Sequence, residues 1–378
     1  MRADTLAVLP FFNRSKQPSL DWIGESVSEN IREALASQGL LVLSREDRME
    51  VFRRMSIRPN AVLTHATVLK IGEALDAAEI VFGHFEVTLD PANPNSKGSL
   101  KLVGRILDLK RIKQGPEFQA AGPVEDLSGL QTHLSWQLLK YLAPKSAPSE
   151  EDFRRTRPTV RIDAVENYIR GLLAANPERK QKLFNQAARL DEGYSEPCFQ
   201  LGRIFWEKKD YRSAAQWLAR VNRADSHYME ALFLTGLTQY YQGNYDTAAN
   251  QFQQVAAVVP LNEVYNDLGA AQSRRNLPEA MENFKKALEG DEADPDYWFN
   301  VGYTLWKSGK FEEAAQKFRA VLDRTQYDAE AMSLLGRCLK HEGPRPVEVR
   351  PAEGRERVKH NFELDAFRQL QAEMGLKK

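Results

Sequence analysis

A 34-residue period in the second half of the chain constrains the fold more strongly than any other feature of the sequence. Within Met229–Asn262, small residues stand at Gly236 and Ala248, a large apolar residue at Phe252 and a proline at Pro260. The small side chains allow two antiparallel helices to approach closely, and the proline ends the second helix. The stretch therefore predicts one pair of packed helices joined by a short turn.

The flanking stretches repeat this pattern in phase. The same residue classes recur in Ser195–Tyr228, Glu263–Asp294 and Pro295–Asp328. Val165–Asp191 fits a degenerate first unit, and a further first helix follows at Met332–Leu339. The spacing resembles the tetratricopeptide repeat (TPR), a family in which consecutive helix pairs stack into a solenoid. We therefore predict an all-α TPR solenoid over residues 161–341, with about five repeats plus a further helix.

The first part of the chain alternates between apolar strands and amphipathic helices. Strands are predicted at Thr5–Phe11, Leu40–Leu43, Glu79–Leu89, Ser99–Leu109 and Gly115–Gly122, with a turn at Pro91–Gly98. Helices are predicted at Leu20–Gln38, at Ala66–Leu75, at Leu127–Tyr141 and after Ser44, which with Asp47 forms a loose capping box. This alternation predicts an α/β or α+β domain with a mixed sheet over residues 1–142.

Four segments of this domain carry a second resemblance. They read LAVLPFFNRS, WIGESVSENIREAL, LSREDRMEVF and ALDAAEIVFGHFEV, and lie within about residues 3–142. Together they resemble the amino-terminal domain of bacterial TolB and related envelope proteins, a group similar to the FlgO and CsgG-type domains. The resemblance implies docking onto other proteins rather than catalysis, in a bacterial, envelope-associated assembly.

Two polar, proline-containing segments flank the predicted solenoid. Residues 143–160 include Pro144, Pro148 and Pro158 and predict a linker. Residues 342–378 predict an extended segment followed by a helix over Arg355–Met374. Because a solenoid needs a cover over its last apolar face, we expect that helix to be the carboxy-terminal cap.

Composition and charge exclude several classes of partner. Lys and Arg together number 52, as do Asp and Glu, so no net field favours nucleic acid or an anionic membrane. No apolar run approaches the roughly 18–20 residues that a membrane helix needs. The first residues lack the basic-then-apolar pattern of a secretory signal. We therefore expect a cytoplasmic protein, or a periplasmic or envelope one if an upstream leader is missing; its oligomeric state stays open.

The sequence offers no recognisable catalytic chemistry. No Gly-rich phosphate loop is followed by Lys-Ser or Lys-Thr. The histidines are scattered with no pair four residues apart, at His65, His84, His133, His227, His341 and His360. We therefore predict no enzyme activity, no metal and no cofactor.

The first helix of each repeat is expected to line a concave groove. The groove residues predicted from repeat position are Phe199, Arg203, Trp206, Phe233, Leu237, Tyr240, Tyr241, Asn266, Arg274, Phe299, Tyr303, Trp306, Lys307, Arg337 and Lys340. Rigid aromatic rings beside Arg and Lys are typical of recognition surfaces. The predicted groove residues do not match the Lys/Asn carboxylate clamp of chaperone-tail-binding TPRs.

Two interpretations of this groove stay open at the level of sequence. Either it binds a peptide or helix of a partner protein, or the chain fills it with Phe362 and Phe367 of its own tail helix or with the amino-terminal domain. The first function hypothesis is a non-enzymatic adaptor whose groove binds one partner and whose α/β domain docks a second. The alternative is a regulatory subunit whose amino-terminal domain binds a small ligand or nucleotide.

Overall fold

The chain divides into two compact units in a computed structural model that describes residues 5–15, 17–58, 61–89, 97–157, 159–348 and 350–373. The amino-terminal unit comprises the described residues of Met1–Pro197, together with Ala224–Ser226 and the stretch from Arg368. The repeat unit comprises Cys198–Arg223 and His227–Phe367.

A mixed sheet forms the centre of the amino-terminal unit. Its strands in the described residues are β1 (Leu6–Val8), β2 (Phe12–Asn13), β3 (Glu79–Thr88), β4 (Ser99–Asp108) and β5 (Lys113–Pro123). The order is β1-β3-β4-β5, and β2 also pairs with β3. β1 and β2 run parallel to β3, whereas β3, β4 and β5 are antiparallel neighbours. The predicted mixed sheet is confirmed.

Helices cover this sheet and extend the unit. They are α1 (Trp22–Ala36), α2 (Arg45–Arg54), α3 (His65–Ala74), α4 (Leu127–Leu142), α5 (Glu150–Arg155), α6 (Ile162–Leu173) and α7 (Pro177–Leu190). Apolar side chains of α2 and α3 pack on the sheet around Leu9 and Ile80. The capping box predicted at Ser44 is present, and Arg48 of α2 donates from Nη2 to Oε1 of Glu25 on α1 at 2.6 Å. Capping and this buried ion pair together fix where α2 begins and which helix it faces.

The strand predicted at Leu40–Leu43 is reduced to one bridge between Leu6 and Val42, because Ser44 already caps α2 two residues later. Within the predicted linker, Ser149 caps α5, which buries Phe153. Most of the predicted turn at Pro91–Gly98 lies outside the described residues. The domain boundaries stay a prediction.

The repeat unit is a run of helices in consecutive pairs. They are α8 (Ser195–Glu207, in this unit from Cys198), α9 (Tyr211–Leu218), α10 (Tyr228–Tyr241), α11 (Tyr245–Ala256), α12 (Asn262–Arg274), α13 (Glu279–Gly290), α14 (Pro295–Lys307), α15 (Phe311–Arg324) and α16 (Ala329–Leu339). A further helix, α17, spans Leu364–Glu373. The predicted all-α solenoid is confirmed. No helix among the described residues has both the length and the apolar character to cross a membrane.

Each pair is packed by a ring or leucine of its second helix against a glycine of its first. A Cβ on Gly236 would lie 2.6 Å from Cε1 of Phe252, and one on Gly269 would lie 2.9 Å from Phe284. A Cβ on Gly202 would meet Leu218 at 2.5 Å. Because these contacts leave no space for a methyl group, the repeated glycine sets the distance between the two helices.

Candidate peptide-binding groove

The surface formed by α10, α12, α14 and α16 is occupied by the chain itself. Residues 354–363, here called the tail segment, form neither helix nor strand. The tail segment runs antiparallel to α12, because Glu356 contacts Ser273 near the carboxyl end of that helix and Glu363 contacts Glu263 near its amino end. The tail helix predicted from Arg355 is therefore corrected to one that begins at Leu364. Hydrogen bonds to the groove replace the helical ones over the intervening residues.

Two asparagines hold the main chain of the tail segment at Arg357. The amide nitrogen of Arg357 donates to Oδ1 of Asn300 at 2.8 Å. Its carbonyl oxygen accepts from Nδ2 of Asn266 and from Nδ2 of Asn300, both at 2.8 Å. The two asparagines are also joined to each other, at 2.7 Å. Since these contacts go to main-chain atoms, they recognise an extended backbone whatever side chain it carries.

Two carboxylates continue this main-chain recognition. Oδ1 of Asp267 accepts from the amide of Lys359, and Oε1 of Glu263 accepts from the amide of Glu363, each at 2.8 Å. Burial raises the pKa of Asp267 well above its usual value, despite the hydrogen bonds that favour its charged form. The pKa of Glu263 is raised by burial as well.

A basic pocket surrounds the side chain of Glu356, which has no exposed surface. Nε of Arg274 lies 2.7 Å from Oε2 of this carboxylate, and Nζ of Lys307 lies 2.9 Å from Oε1. The hydroxyl of Ser273 donates to Oε1 at 2.6 Å. Two cations and a hydroxyl thus compensate the cost of burying one carboxylate.

An acidic pocket receives the two basic side chains that follow. Arg357 forms a bidentate pair with Asp328 at 2.7 and 2.9 Å, and its guanidinium carbon lies 3.7 Å from the centroid of the Phe299 ring. Nζ of Lys359 lies 2.6 Å from carboxylate oxygens of both Asp294 and Asp296. The hydrogen bond from Arg357 lowers the pKa of Asp328.

Aromatic side chains receive the end of the tail segment. Phe362 stacks on Phe233 with ring centroids 5.0 Å apart. Nε2 of His360 lies 2.6 Å from the hydroxyl of Tyr241, and its ring centroid lies 5.6 Å from that of Trp206. Burial lowers the pKa of His360, which favours a neutral imidazole in this setting.

The chain just before the tail segment closes the other end of the groove. Nη1 of Arg337 donates to Oε1 of Glu348 at 3.0 Å, and Trp306 donates from Nε1 to the carbonyl oxygen of Glu342 at 2.9 Å. The hydrogen bond from Arg345, with those from the Arg345 amide and Arg337, lowers the pKa of Glu348 to about 2. This acidic side chain therefore stays charged and paired at neutral pH.

The residues predicted from repeat position fall into three groups. Those in contact with the tail segment are Trp206, Phe233, Tyr241, Asn266, Arg274, Phe299 and Lys307. Those that are buried or hold groove residues in place are Phe199, Leu237, Tyr240, Tyr303, Trp306 and Arg337. The side chains of Arg203 and Lys340 are exposed. That this surface binds a partner stays a prediction.

The self-occupied interpretation fits the structure only in part. Phe362 does cover a groove ring, but it does so from an extended segment rather than from a helix. Phe367, the second residue expected to fill the groove, lies on α17 and is half-buried.

The sequence patterns did not indicate several groove residues, namely Ser273, Asp267, Asn300, Asp294, Asp296 and Asp328. The repeat period carried the signal for some of them. Asn300 stands 34 residues after Asn266, and Asp328 stands 34 residues after Asp294. Both aspartates also cap helices, accepting from main-chain amides at the starts of α14 and α16. Helix capping already accounts for both aspartates in the sequence. Only the tertiary contacts show that Asp294 also binds Lys359 and that Asp328 also binds Arg357.

The amino-terminal unit contains a small cavity of about 120 Å³. Its lining includes Phe11, Asn13, Asp21, Glu25 and Leu63. Pockets that hold cofactor-sized ligands usually enclose about 300–1,000 Å³. The volume does not favour the alternative hypothesis of a nucleotide-binding regulatory subunit.

A family model described as tetratricopeptide repeat matches residues 233–297, 269–329 and 299–343. These residues form tetratricopeptide repeats. Tetratricopeptide repeat protein 8 of Caenorhabditis elegans is 26% identical over 145 residues, which cover 37% of this chain and 28% of that protein. The chain thus matches little more than a quarter of the length of this relative.

Two solved structures align with about half of this chain. MamA from Desulfovibrio magneticus RS-1, from residue 41 to its end, is 21% identical with a TM-score of 0.41, covering 45% of this chain and 99% of that one. YrrB, described as a TPR protein with an unusual peptide-binding site, is 19% identical with a TM-score of 0.37, covering 50% of this chain and 97% of that one.

Proposed function

We propose that this chain is a non-enzymatic adaptor whose repeat groove binds an extended segment of a partner protein. The observation that carries the proposal is the hydrogen bonding of the Arg357 main chain, whose amide donates to Asn300 and whose carbonyl accepts from both Asn266 and Asn300. Asp267 adds a bond to a second amide two residues further along. Main-chain recognition of this kind suits a peptide ligand, whereas a folded surface has few free peptide groups to offer.

The proposal gives the amino-terminal unit a separate task. We infer that its mixed sheet and covering helices dock a second protein, as the resemblance to TolB-type domains of bacterial envelope proteins implies. An adaptor would then join the two partners. The repeat architecture supports a scaffold role over catalysis, since its helices present a long recognition surface.

The test is a selection of binders from a library of unstructured peptides. Because the tail segment occupies the groove, the full-length chain should carry Arg357→Glu, which places a carboxylate against Asp328 and releases the segment. We expect selected peptides to bind this chain and to lose at least tenfold in affinity when Asn266→Ala and Asn300→Ala are added. Such a loss corresponds to about 1.4 kcal/mol, the order expected for the lost hydrogen bonds.

Asn250→Ala is the matched control, because it removes an exposed amide from α11, a second helix. Its affinity should equal that of the released chain. Peptides that bind equally well without Asn266 and Asn300, or a library that yields no binder, would reject the groove as a peptide-binding site.

A further inference from the structure

We propose that the groove selects a bipolar segment and that Glu356–Phe362 is the chain's own copy of that ligand. The partner segment carries a carboxylate, an arginine one residue later, a lysine three residues after the carboxylate and an aromatic ring six residues after it. The tail segment competes with it from within the same chain. This specificity rests on the proposed function, since it concerns the side-chain pockets of the same groove.

Selection begins at the basic pocket. Arg274 and Lys307 are largely buried, with side-chain exposures of 10% and 13%, and both form ion pairs with Glu356. A ligand without a carboxylate here would leave two cations unpaired in a desolvated site, which is unfavourable. A ligand with a lysine or arginine here would add a third positive charge. The pocket therefore favours an acidic side chain over a neutral one and over a basic one.

The acidic pocket adds a preference for arginine at the next position. Asp328 receives two parallel hydrogen bonds from the guanidinium, and the flat face of the guanidinium lies on the Phe299 ring. A lysine ammonium carries the same charge but cannot make the bidentate pair or stack as a plane. Asp294 and Asp296, by contrast, converge on one Nζ atom, a geometry that fits an ammonium.

The two pockets fix the direction in which a ligand lies. The basic residues Arg274 and Lys307 end α12 and α14, whereas the acidic residues Asp296 and Asp328 stand at the starts of α14 and α16. In the proposed ligand, the acidic side chain comes before the basic ones in the sequence. Such a segment can place each side chain in its pocket only when it runs antiparallel to the helices. The main-chain bonds of Asn266 and Asn300 to Arg357 then hold it in one register. The aromatic ring arrives over Phe233 in that register.

The tail segment is a strong competitor because it is tethered. Only residues 340–353 separate the end of α16 from Gly354, so this short connection holds the tail segment near the groove at a high effective concentration. A partner segment with the same contacts therefore binds well only after the tail segment is weakened or outcompeted. The full-length chain rests in a closed state in which its groove is filled.

The experiment uses a labelled synthetic peptide with the sequence of residues 353–363. We expect the full-length chain with Arg357→Glu to bind it at least tenfold more tightly than the parent chain, since Arg357 belongs to the tail and not to the groove. In the peptide, Glu356→Gln and Arg357→Lys should each weaken binding at least tenfold. Asn361→Ala is the matched control and should change nothing, because this exposed side chain bonds only within the tail.

Further arms separate the two proposals. A scrambled peptide of the same composition that binds the released chain as tightly as the tail peptide overturns the bipolar specificity but leaves the peptide-binding function standing. If the released chain binds neither peptide, the bipolar specificity is overturned. If no peptide from the library binds either, the proposed peptide-binding function is overturned as well. If Arg357→Glu prevents folding, as judged by its melting curve, Phe362→Ala provides a second released chain.

Competition within one chain is tested separately. If the parent and both released chains bind the tail peptide with equal affinity, the proposed competition by the tail segment is overturned. A parent chain that is dimeric in light scattering, and becomes monomeric with Arg357→Glu, shows that tails are exchanged between two copies and overturns it as well. A monomeric parent with the expected tenfold difference supports it.

Discussion

The contact between Gly236 and Phe252 allows the packing of the repeats to be measured with one methyl group. In Gly236→Ala the new Cβ would lie 2.6 Å from Cε1, 2.9 Å from Cδ1 and 3.0 Å from Cζ of the Phe252 ring. Carbon atoms are normally separated by about 3.5–4.0 Å, so the ring or the helix must move by about 1 Å. Phe252 is fully buried. Overpacking of this kind costs about 1–3 kcal/mol.

Gly336 offers a matched control, because it occupies the same repeat position on α16. A Cβ there would have no atom within 4 Å. Both substitutions gain about 1 kcal/mol of helix propensity, and this common gain cancels in the comparison. We therefore expect Gly336→Ala to stabilise the chain by up to about 1 kcal/mol, and Gly236→Ala to be about 1–3 kcal/mol less stable than that control.

The assay is urea unfolding of the two full-length variants and the parent, followed by tryptophan fluorescence, to which the repeat unit contributes Trp206, Trp217, Trp298 and Trp306, and the amino-terminal unit contributes Trp22 and Trp136. Unfolding midpoints are compared at equal slopes, because a changed slope would signal loss of two-state behaviour. Equal free energies of unfolding for Gly236→Ala and Gly336→Ala would refute the assigned repeat packing.

Three further predictions concern the groove. Arg357→Ala should raise hydrogen exchange of residues 354–363 about 10–100-fold through loss of charged hydrogen bonds worth about 1.5–3 kcal/mol. Arg319→Ala, which removes an exposed arginine from α15, should leave that exchange unchanged, and equal exchange in the two variants would refute the role of Arg357 in holding the tail segment. Trp306→Ala should cost about 3–5 kcal/mol, since the ring is fully buried, and a loss below about 1 kcal/mol in urea unfolding would contradict that burial. Because burial raises the pKa of Asp267, the protonated side chain contributes stability that is fully present below its unfolded pKa and is lost as pH rises through its folded pKa. Asp267→Asn mimics the protonated acid, so this variant should gain stability relative to the parent as pH rises. A difference in unfolding free energy between variant and parent that does not change with pH would refute this prediction.

Local sequence signals predicted most of the helices and strands. The 34-residue period placed the repeat helices because each glycine and each opposing ring serve a contact between neighbours in sequence, such as Gly236 with Phe252. The capping residue Ser44 marked the start of α2 for the same reason, since its partner Asp47 lies three residues away. Where the interaction is local, the sequence pattern contains both partners.

The short bridge at Val42 and the extended tail segment show where local signals fail. Val358, Phe362 and Phe367 follow a helical spacing, which predicted a helix from Arg355. The helical hydrogen bonds up to Glu363 are instead replaced by bonds from groove side chains. Propensity is a weak preference, and tertiary contacts of this number override it.

The sequence alone determined that this chain has a mixed-sheet domain followed by tetratricopeptide repeats, because those features arise from contacts at short and regular spacing. Only the tertiary structure decided what fills the groove. Arg357 meets Asn300 across 57 residues, and Glu363 meets Glu263 across 100. No periodic pattern links such distant partners, since their meeting depends on where the folded helices bring their surfaces. The residues that bind an extended peptide are therefore identified by the folded structure, in which they bind the chain's own tail segment.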